Sequence, residues 1–176
     1  MKKVFLLVDY QNDFVDGSLG FPDAAALDSK ILNRIKEVEK LGYFIVLTKD
    51  VHYFDYLKTQ EGRFLPIKHC IYNTKGADFY GSVGDYFWTN KPHKVLMKDN
   101  FGTFKLKDFL EELKDVDEVE IAGLITNICV LANAIIAKTT LPEATITINS
   151  ELCATPNKET QEKTLEIMRL LQMKII

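Results

Sequence analysis

The chain has 176 residues, 47% of them apolar and 27% charged, with a net charge of -3. That composition suits one soluble domain over 1–176 and speaks against a nucleic-acid partner, which selects a basic surface. No apolar run approaches the roughly 18–20 residues of a membrane span. The cysteines Cys70, Cys129 and Cys153 form no disulfide framework, so the expectation is a reducing, cytoplasmic setting without a membrane partner.

Val4 to Val8 is a continuous apolar run, the pattern of a strand covered on both faces. It is too short for a secretory leader and stops at Asp9 without a cleavage pattern. Between Ala24 and Leu41, residues Leu27, Ile31, Ile35, Val38 and Leu41 recur at helical spacing, and Gly42 is a helix stop. Tyr43 to Thr48 reads as the second strand. The stretch from Asp50 to about Gly84 is aromatic and broken by Gly and Pro; connections of that length tend to carry function. Lys94 to Met97 reads as a third strand, Leu106 to Leu113 as a helix and Glu118 to Ala122 as a fourth strand. Cys129 to Lys138 is helix-compatible and Ala144 to Ile148 is a fifth strand. Thr155-Pro156 fits a helix start, with Thr155 as cap. That helix reaches about Leu171, and Ile175 and Ile176 end in a short sixth strand. Tyr86-Phe87-Trp88 covers the domain's own core or forms a subunit contact, which leaves a homo-oligomer open. Strands alternating with helices predict an α/β fold, three layers α/β/α around a mostly parallel sheet of five or six strands.

In such sheets ligands bind beyond the carboxyl ends of the strands. The polar residues standing there are Asp9, Asp50 with His52, Lys98, and the turn Thr126 to Cys129. A helix start at Cys129 favours a thiolate and offers N–H groups to an oxyanion; the plainer reading is a buried cysteine acting as a small hydrophobe. Asp9 can take a thiol proton and return it to a leaving amine, or it caps a loop. Lys98 can stabilise the thiolate and hold Asp9 ionised, or it is solvated. Asp50 and His52 stand two apart on extended chain and so share a side. With His69 and Glu61 in the same loop they make a donor set for Zn²⁺, Fe²⁺ or Mn²⁺. His93 sits in a charged run and reads as surface.

Four blocks in this order resemble the isochorismatase-like cysteine hydrolases, and among them the nicotinamidases. They are Val8-Asp9-Tyr10-Gln11-Asn12-Asp13-Phe14, Thr48-Lys49-Asp50-Val51-His52, Lys98-Asp99-Asn100-Phe101 and Gly123-Leu124-Ile125-Thr126-Asn127-Ile128-Cys129-Val130. The resemblance implies a catalytic set of Asp9, Lys98 and Cys129. It also implies a cis peptide at Leu124-Ile125, with the Ile125 and Cys129 N–H groups as oxyanion donors. Asp50, His52 and His69 are the implied ligands of one divalent metal, with Glu61 as a further ligand and zinc favoured over iron or manganese. Phe14, Gln11, Phe64 and Phe101 are the implied substrate pocket. The implied reaction is hydrolysis of a small amide, nicotinamide first, through a thioester. The alternatives are another small amide or carbamoyl compound, or a non-catalytic binding member of the family. The chain departs from the nicotinamidase pattern at Val51, where tryptophan is usual, and at Asn127, where aspartate is common. It also lacks a tryptophan between Arg63 and His69, leaving Phe64 or Leu65 in that place.

Overall fold

Alternate residues of the first strand feed two different cores. In the computed structural model, which describes residues 1–176, β1 spans Lys2–Val8. Val4, Leu6 and Val8 belong to one buried cluster, and Phe5 and Leu7 to another. The two-residue period of a strand puts successive side chains on opposite faces, so a run apolar at every position requires cover on both. The rest of the chain supplies it. Short helices α1 (Asn12–Val15) and α2 (Pro22–Ala25) are followed by α3 (Asp28–Lys40), β2 (Phe44–Asp50), α4 (Gln60–Phe64) and α5 (Gly81–Thr89). Then come β3 (Lys94–Lys98), α6 (Phe104–Leu113), β4 (Val116–Leu124), α7 (Leu131–Thr140), β5 (Thr145–Ala154), α8 (Lys158–Leu170) and β6 (Lys174–Ile175).

All six strands run parallel, in the order β3-β2-β1-β4-β5-β6. Ile31, Ile35 and Val38 of α3 and Phe87 of α5 cover one face; Leu106 and Leu110 of α6, Ala134 of α7 and Met168 of α8 cover the other. From β1 the connections run outward to β2 and β3, whereas β4 leads to β5 and β6 in the opposite direction. The crevice where strand order reverses therefore opens beyond the ends of β1 and β4, the usual place for a ligand. Gly123 permits the close approach there: its φ is +119°, and an added Cβ would lie 2.0 Å from the Val8 carbonyl oxygen.

Several elements differ from the sequence expectation. The helix expected from Ala24 to Leu41 is two helices, α2 and α3. β5 continues to Ala154 across a register irregularity opposite Ile121 to Gly123, and the polar Asn149-Ser150-Glu151 hides that continuation. The long stretch after Asp50 contains α4 and α5. Gly81 and Gly84 lower the intrinsic helicity of α5, and its burial of Val83 and Phe87 supplies what propensity does not. Of the aromatic run, Phe87 is core and Trp88 is 82% exposed. Thr155 does not cap α8: Asn157 does, its side-chain oxygen accepting from the Thr160 N–H at 2.9 Å, while the Thr155 hydroxyl donates to Asn127 Oδ1 at 2.7 Å.

Candidate active site and metal centre

The chain leaves β1 at Asp9, whose φ of +46° turns it out of the strand direction. Its carboxylate is fully buried. Thr48, inside β2, donates its hydroxyl to Asp9 Oδ1 at 2.6 Å and accepts from the Asp9 N–H at 3.2 Å. Lys98 is the last residue of β3. Its Nζ lies 2.7 Å from Asp9 Oδ2, 3.3 Å from Asp50 Oδ1 and 3.7 Å from Cys129 Sγ, and donates to the Asn100 carbonyl at 2.8 Å. Cys129 sits in a π-type turn, where the Val130 N–H donates to the Ile125 carbonyl at 3.2 Å, just before α7. Acid, ammonium and thiol, from three separate strand ends, thus meet at one rim of the sheet.

Burial and charge set their protonation. Burial raises the Asp9 carboxyl above its ordinary value, with the Lys98 charge offsetting only part. Burial alone would lower the Lys98 ammonium, but Asp9, Cys129 and Asp50 outweigh it and hold the ammonium above its ordinary value. The Cys129 thiol is pushed well up, first by burial and then by the Asp9 charge, against the pull of Lys98. A helix start alone would favour a thiolate; here enclosure beside two carboxylates outweighs it, and the thiol keeps its proton at rest. A thiol that keeps its proton needs a base to become a nucleophile, and a carboxylate can serve as one.

Asp50, at the end of β2, brings a second cluster alongside. The ligand-type atoms of Asp50, His52 and His69 lie within 4.8 Å of one another, all three residues buried. Asp50 Oδ2 is 3.0 Å from His52 Nε2 and 3.6 Å from His69 Nε2, and Glu61 Oε1 lies 3.7 Å from both imidazole nitrogens. Ligands about 2.0–2.1 Å from a tetrahedral ion stand roughly 3.3 Å apart, so these spacings fit one ion held by two imidazoles and carboxylates. His52 Nε2 supports the fit: it is buried and makes no hydrogen bond of acceptable geometry, despite its closeness to Asp50. Burial pushes Asp50 up, but the close imidazoles of His52 and His69 and the Lys98 charge hold it well below the usual carboxylate range. His69 is oriented by a contact of 2.9 Å between its Nδ1 and the Ile67 carbonyl.

Both clusters open on one cavity of about 260 Å³, walled by Phe14, Leu65, Phe101 and Ile128 and floored by Lys98 and Cys129. A larger open groove of about 660 Å³ beside Trp88 contains none of these chemical groups; chemistry, not size, selects the smaller one.

Residues 3–176 match the family model described as the isochorismatase domain. The chain belongs to the isochorismatase family. An uncharacterized isochorismatase family protein, PncA, of Bacillus subtilis is 34% identical over 144 residues, covering 77% of this chain and 78% of its own length. Among solved structures, nicotinamidase/pyrazinamidase PncA from Bacillus subtilis superposes with a TM-score of 0.89 at 27% identity, over 99% of both chains. Pyrazinamidase of Pyrococcus horikoshii in complex with zinc superposes at 0.86 with 25% identity, covering 100% of this chain and 99% of its own. The fold described above is thus the isochorismatase-family fold, and the family places the chain among hydrolases.

Within this isochorismatase-family site, Asp9, Lys98 and Cys129 come together, as do Asp50, His52, Glu61 and His69. Phe14 and Phe101 line the cavity, and so does Ile125, whose peptide bond to Leu124 is cis. The Ile125 N–H is used by no turn, loop or cap hydrogen bond. Two expected pocket residues lie elsewhere. Phe64 is 84% exposed; α4 ends at that residue and turns the next one, Leu65, into the wall. Gln11 is wholly buried, its carboxamide bonded to the Asp50 backbone and the Ala77 carbonyl, so it does not reach the cavity.

Other residues go beyond the sequence reading. Thr48 is one; it stands two residues before Asp50 on the same strand, and strand alternation puts both on one side. Buried Asn133 is another: it donates to the carbonyls of Cys129 at 2.8 Å and Phe101 at 3.2 Å, and accepts from the Thr103 N–H at 3.2 Å. It ties the turn that carries Cys129 to the pocket wall, but an asparagine in a helix carries no sequence signal of that.

Proposed function

We propose that this family member is a nicotinamidase, hydrolysing nicotinamide to nicotinate and ammonia through a thioester on Cys129. The observation that carries the proposal is Lys98 Nζ lying between Asp9 Oδ2 at 2.7 Å and Cys129 Sγ at 3.7 Å, at a cavity also lined by Asp50, Glu61 and His69 of the metal set. A space of about 260 Å³ is below the roughly 300–1,000 Å³ of pockets for drug-sized ligands and suits a single-ring amide. The similar solved structures, of a nicotinamidase/pyrazinamidase and a pyrazinamidase, support the same substrate class.

Asp9 takes the Cys129 proton, and the thiolate attacks the amide carbon. Lys98 stays charged and offsets the negative charge moving between carboxylate and sulfur. The N–H groups of Ile125 and Cys129 receive the developing oxyanion. As the carbon–nitrogen bond breaks, Asp9 gives the proton to the departing amine, and ammonia leaves. A water then attacks the thioester; Asp9 takes its proton and returns it to the Cys129 sulfur as nicotinate is released. Phe14, Leu65 and Phe101 hold the ring and exclude bulk water.

Asp50, His52, Glu61 and His69 would hold one divalent ion. When bound it supplies a Lewis-acid anchor for the ring nitrogen. We propose zinc, because two imidazoles with carboxylates suit it and the similar pyrazinamidase of Pyrococcus horikoshii was solved in complex with zinc. The whole of 1–176 works as one hydrolase domain. No helix is long and apolar enough to cross a membrane, and three free buried thiols agree with a reducing, cytoplasmic setting. The test is ammonia release from nicotinamide by zinc-loaded protein, against a panel of small amides and carbamoyl compounds. Nicotinamide should be hydrolysed with the highest kcat/KM; a carbamoyl compound ahead of it would overturn the substrate assignment.

A further inference from the structure

We infer that Gln11 and Asp13 are positioning residues for the metal centre, each gripping the backbone of a segment that carries a ligand. The inference rests on reading Asp50, His52 and His69 as that centre, and deepens it.

Pairing between β1 and β2 ends at Leu7 and Leu47, because Asp9 turns the chain away. Asp50, three residues further along β2, meets no backbone of β1. The Gln11 side chain takes its place. Its Oε1 accepts from the Asp50 N–H at 2.7 Å and its Nε2 donates to the Asp50 carbonyl at 2.8 Å, as a neighbouring peptide group would. The same Nε2 donates to the Ala77 carbonyl at 2.9 Å. Both donors and the acceptor of a fully buried amide are therefore engaged, and the ends of the loop between Asp50 and Ala77 are tied to one side chain.

Asp13 grips the middle of that loop. Its Oδ2 accepts from the Cys70 N–H at 2.7 Å, and the Cys70 carbonyl accepts from the His52 N–H at 2.9 Å. The residue following ligand His69 is thus held between Asp13 and ligand His52. Cys70 adopts a φ of +46°, which a side-chain-bearing residue keeps only where its surroundings over-determine it. The loop also wraps Asp13 without room to spare: a Cβ added at Gly76 would fall 2.0 Å from Asp13 Oδ2.

Neither residue lines the cavity, and the bonds described run to backbone groups of ligand-bearing segments. Asp50 ends β2 and His52 follows it two residues on, while His69 arrives from the loop's far side, so the 3.6 Å between His69 Nε2 and Asp50 Oδ2 depends on how strand and loop are registered. Ligand sets tolerate errors of only about 0.5 Å, which makes that registration decisive. One five-residue segment, 9–13, therefore presents the catalytic Asp9 and sets the register of the metal centre.

The test measures zinc dissociation constants by chelator competition, and cobalt(II) visible spectra, on the purified full chain. Gln11→Met and Asp13→Ala should each weaken zinc by about tenfold or more and alter the cobalt(II) spectrum. Asp13→Asn, which keeps an oxygen for the Cys70 N–H, should recover most of the loss. Arg34→Met, which breaks an ion pair between α3 and β4, controls for stability: it should lower the melting temperature of metal-free protein and leave zinc binding unchanged. The inference is overturned if Gln11→Met and Asp13→Ala bind zinc within about twofold of the natural protein, or if Arg34→Met weakens zinc as much as they do. If Gln11→Met does not fold, the Asp13→Ala and Asp13→Asn pair decides. A natural protein that takes up no zinc sinks the metal assignment itself, which needs no variant to see.

Discussion

Replacing Thr48 by valine removes one hydroxyl of nearly constant shape from the environment of Asp9. That hydroxyl donates to Asp9 Oδ1 at 2.6 Å in a fully buried site. A hydrogen bond to a charged group contributes about 1.5–3 kcal/mol, and one pKa unit corresponds to about 1.36 kcal/mol. The neutral carboxyl keeps part of the interaction, so about one unit is the expected net rise. The sign follows from the role of Asp9. Burial already raises its pKa; losing a donor that favours the carboxylate raises it further. The base works only when ionised, so the acid limb of kcat/KM for ammonia release should move about one unit toward neutral pH. Activity well above that limb should approach the natural value. The profile is measured with metal content checked at each pH, because acid also protonates the ligands. An acid limb that stays in place or moves down would refute the assignment of Asp9 as the proton acceptor.

Cys129→Ala should abolish turnover while the cooperative unfolding transition survives; amide hydrolysis by that variant would exclude the covalent scheme. Glu120 is 1% exposed and accepts from Arg34 at 2.9 and 2.6 Å and from Asn149 at 2.9 Å. Glu120→Gln should therefore cost about 2–4 kcal/mol in urea unfolding, and Arg34→Met in the same chain should recover part of it. Burial pushes the Glu118 carboxyl up, but bonds from Lys3 and Tyr43 outweigh burial and hold it below its ordinary value. Its contribution to stability is accordingly full above the unfolded pKa and lost as pH falls through the folded one. Glu118→Gln should flatten that part of the acid stability profile, and an unchanged slope would show that Glu118 is not held below its ordinary value in the folded chain.

The chemistry was legible where a polar residue ends an apolar run. Asp9, Asp50, Lys98 and Cys129 each follow a strand that the hydrophobic pattern reveals, and parallel topology sends all of them to the same edge. Residues whose role depends on the rotation of a loop were not legible in that way. Phe64 and Leu65 are neighbours, and only the end of α4 decides which one faces the cavity. Gln11 stands in the same motif as Asp9, yet the turn at Asp9 aims it at the Asp50 backbone and away from the cavity. The helix α5 was hidden because its glycines argue against it locally, while burial of Val83 and Phe87 is a tertiary effect. The thiol's protonation was not legible from the helix start, since the enclosure beside Asp9 and Asp50 that raises it exists only in the folded chain.

The account stands on a sulfur nucleophile meeting the substrate carbonyl beside the metal set. Its most direct test is a crystal structure of the zinc-loaded protein with pyridine-3-carbaldehyde, an analogue that accepts a thiolate but has no amine to lose. Continuous density should join Cys129 Sγ to the aldehyde carbon, with the new oxygen at the N–H groups of Ile125 and Cys129. An unmodified Cys129, with the aldehyde lodged elsewhere or attached to Cys70 or Cys153, would contradict it.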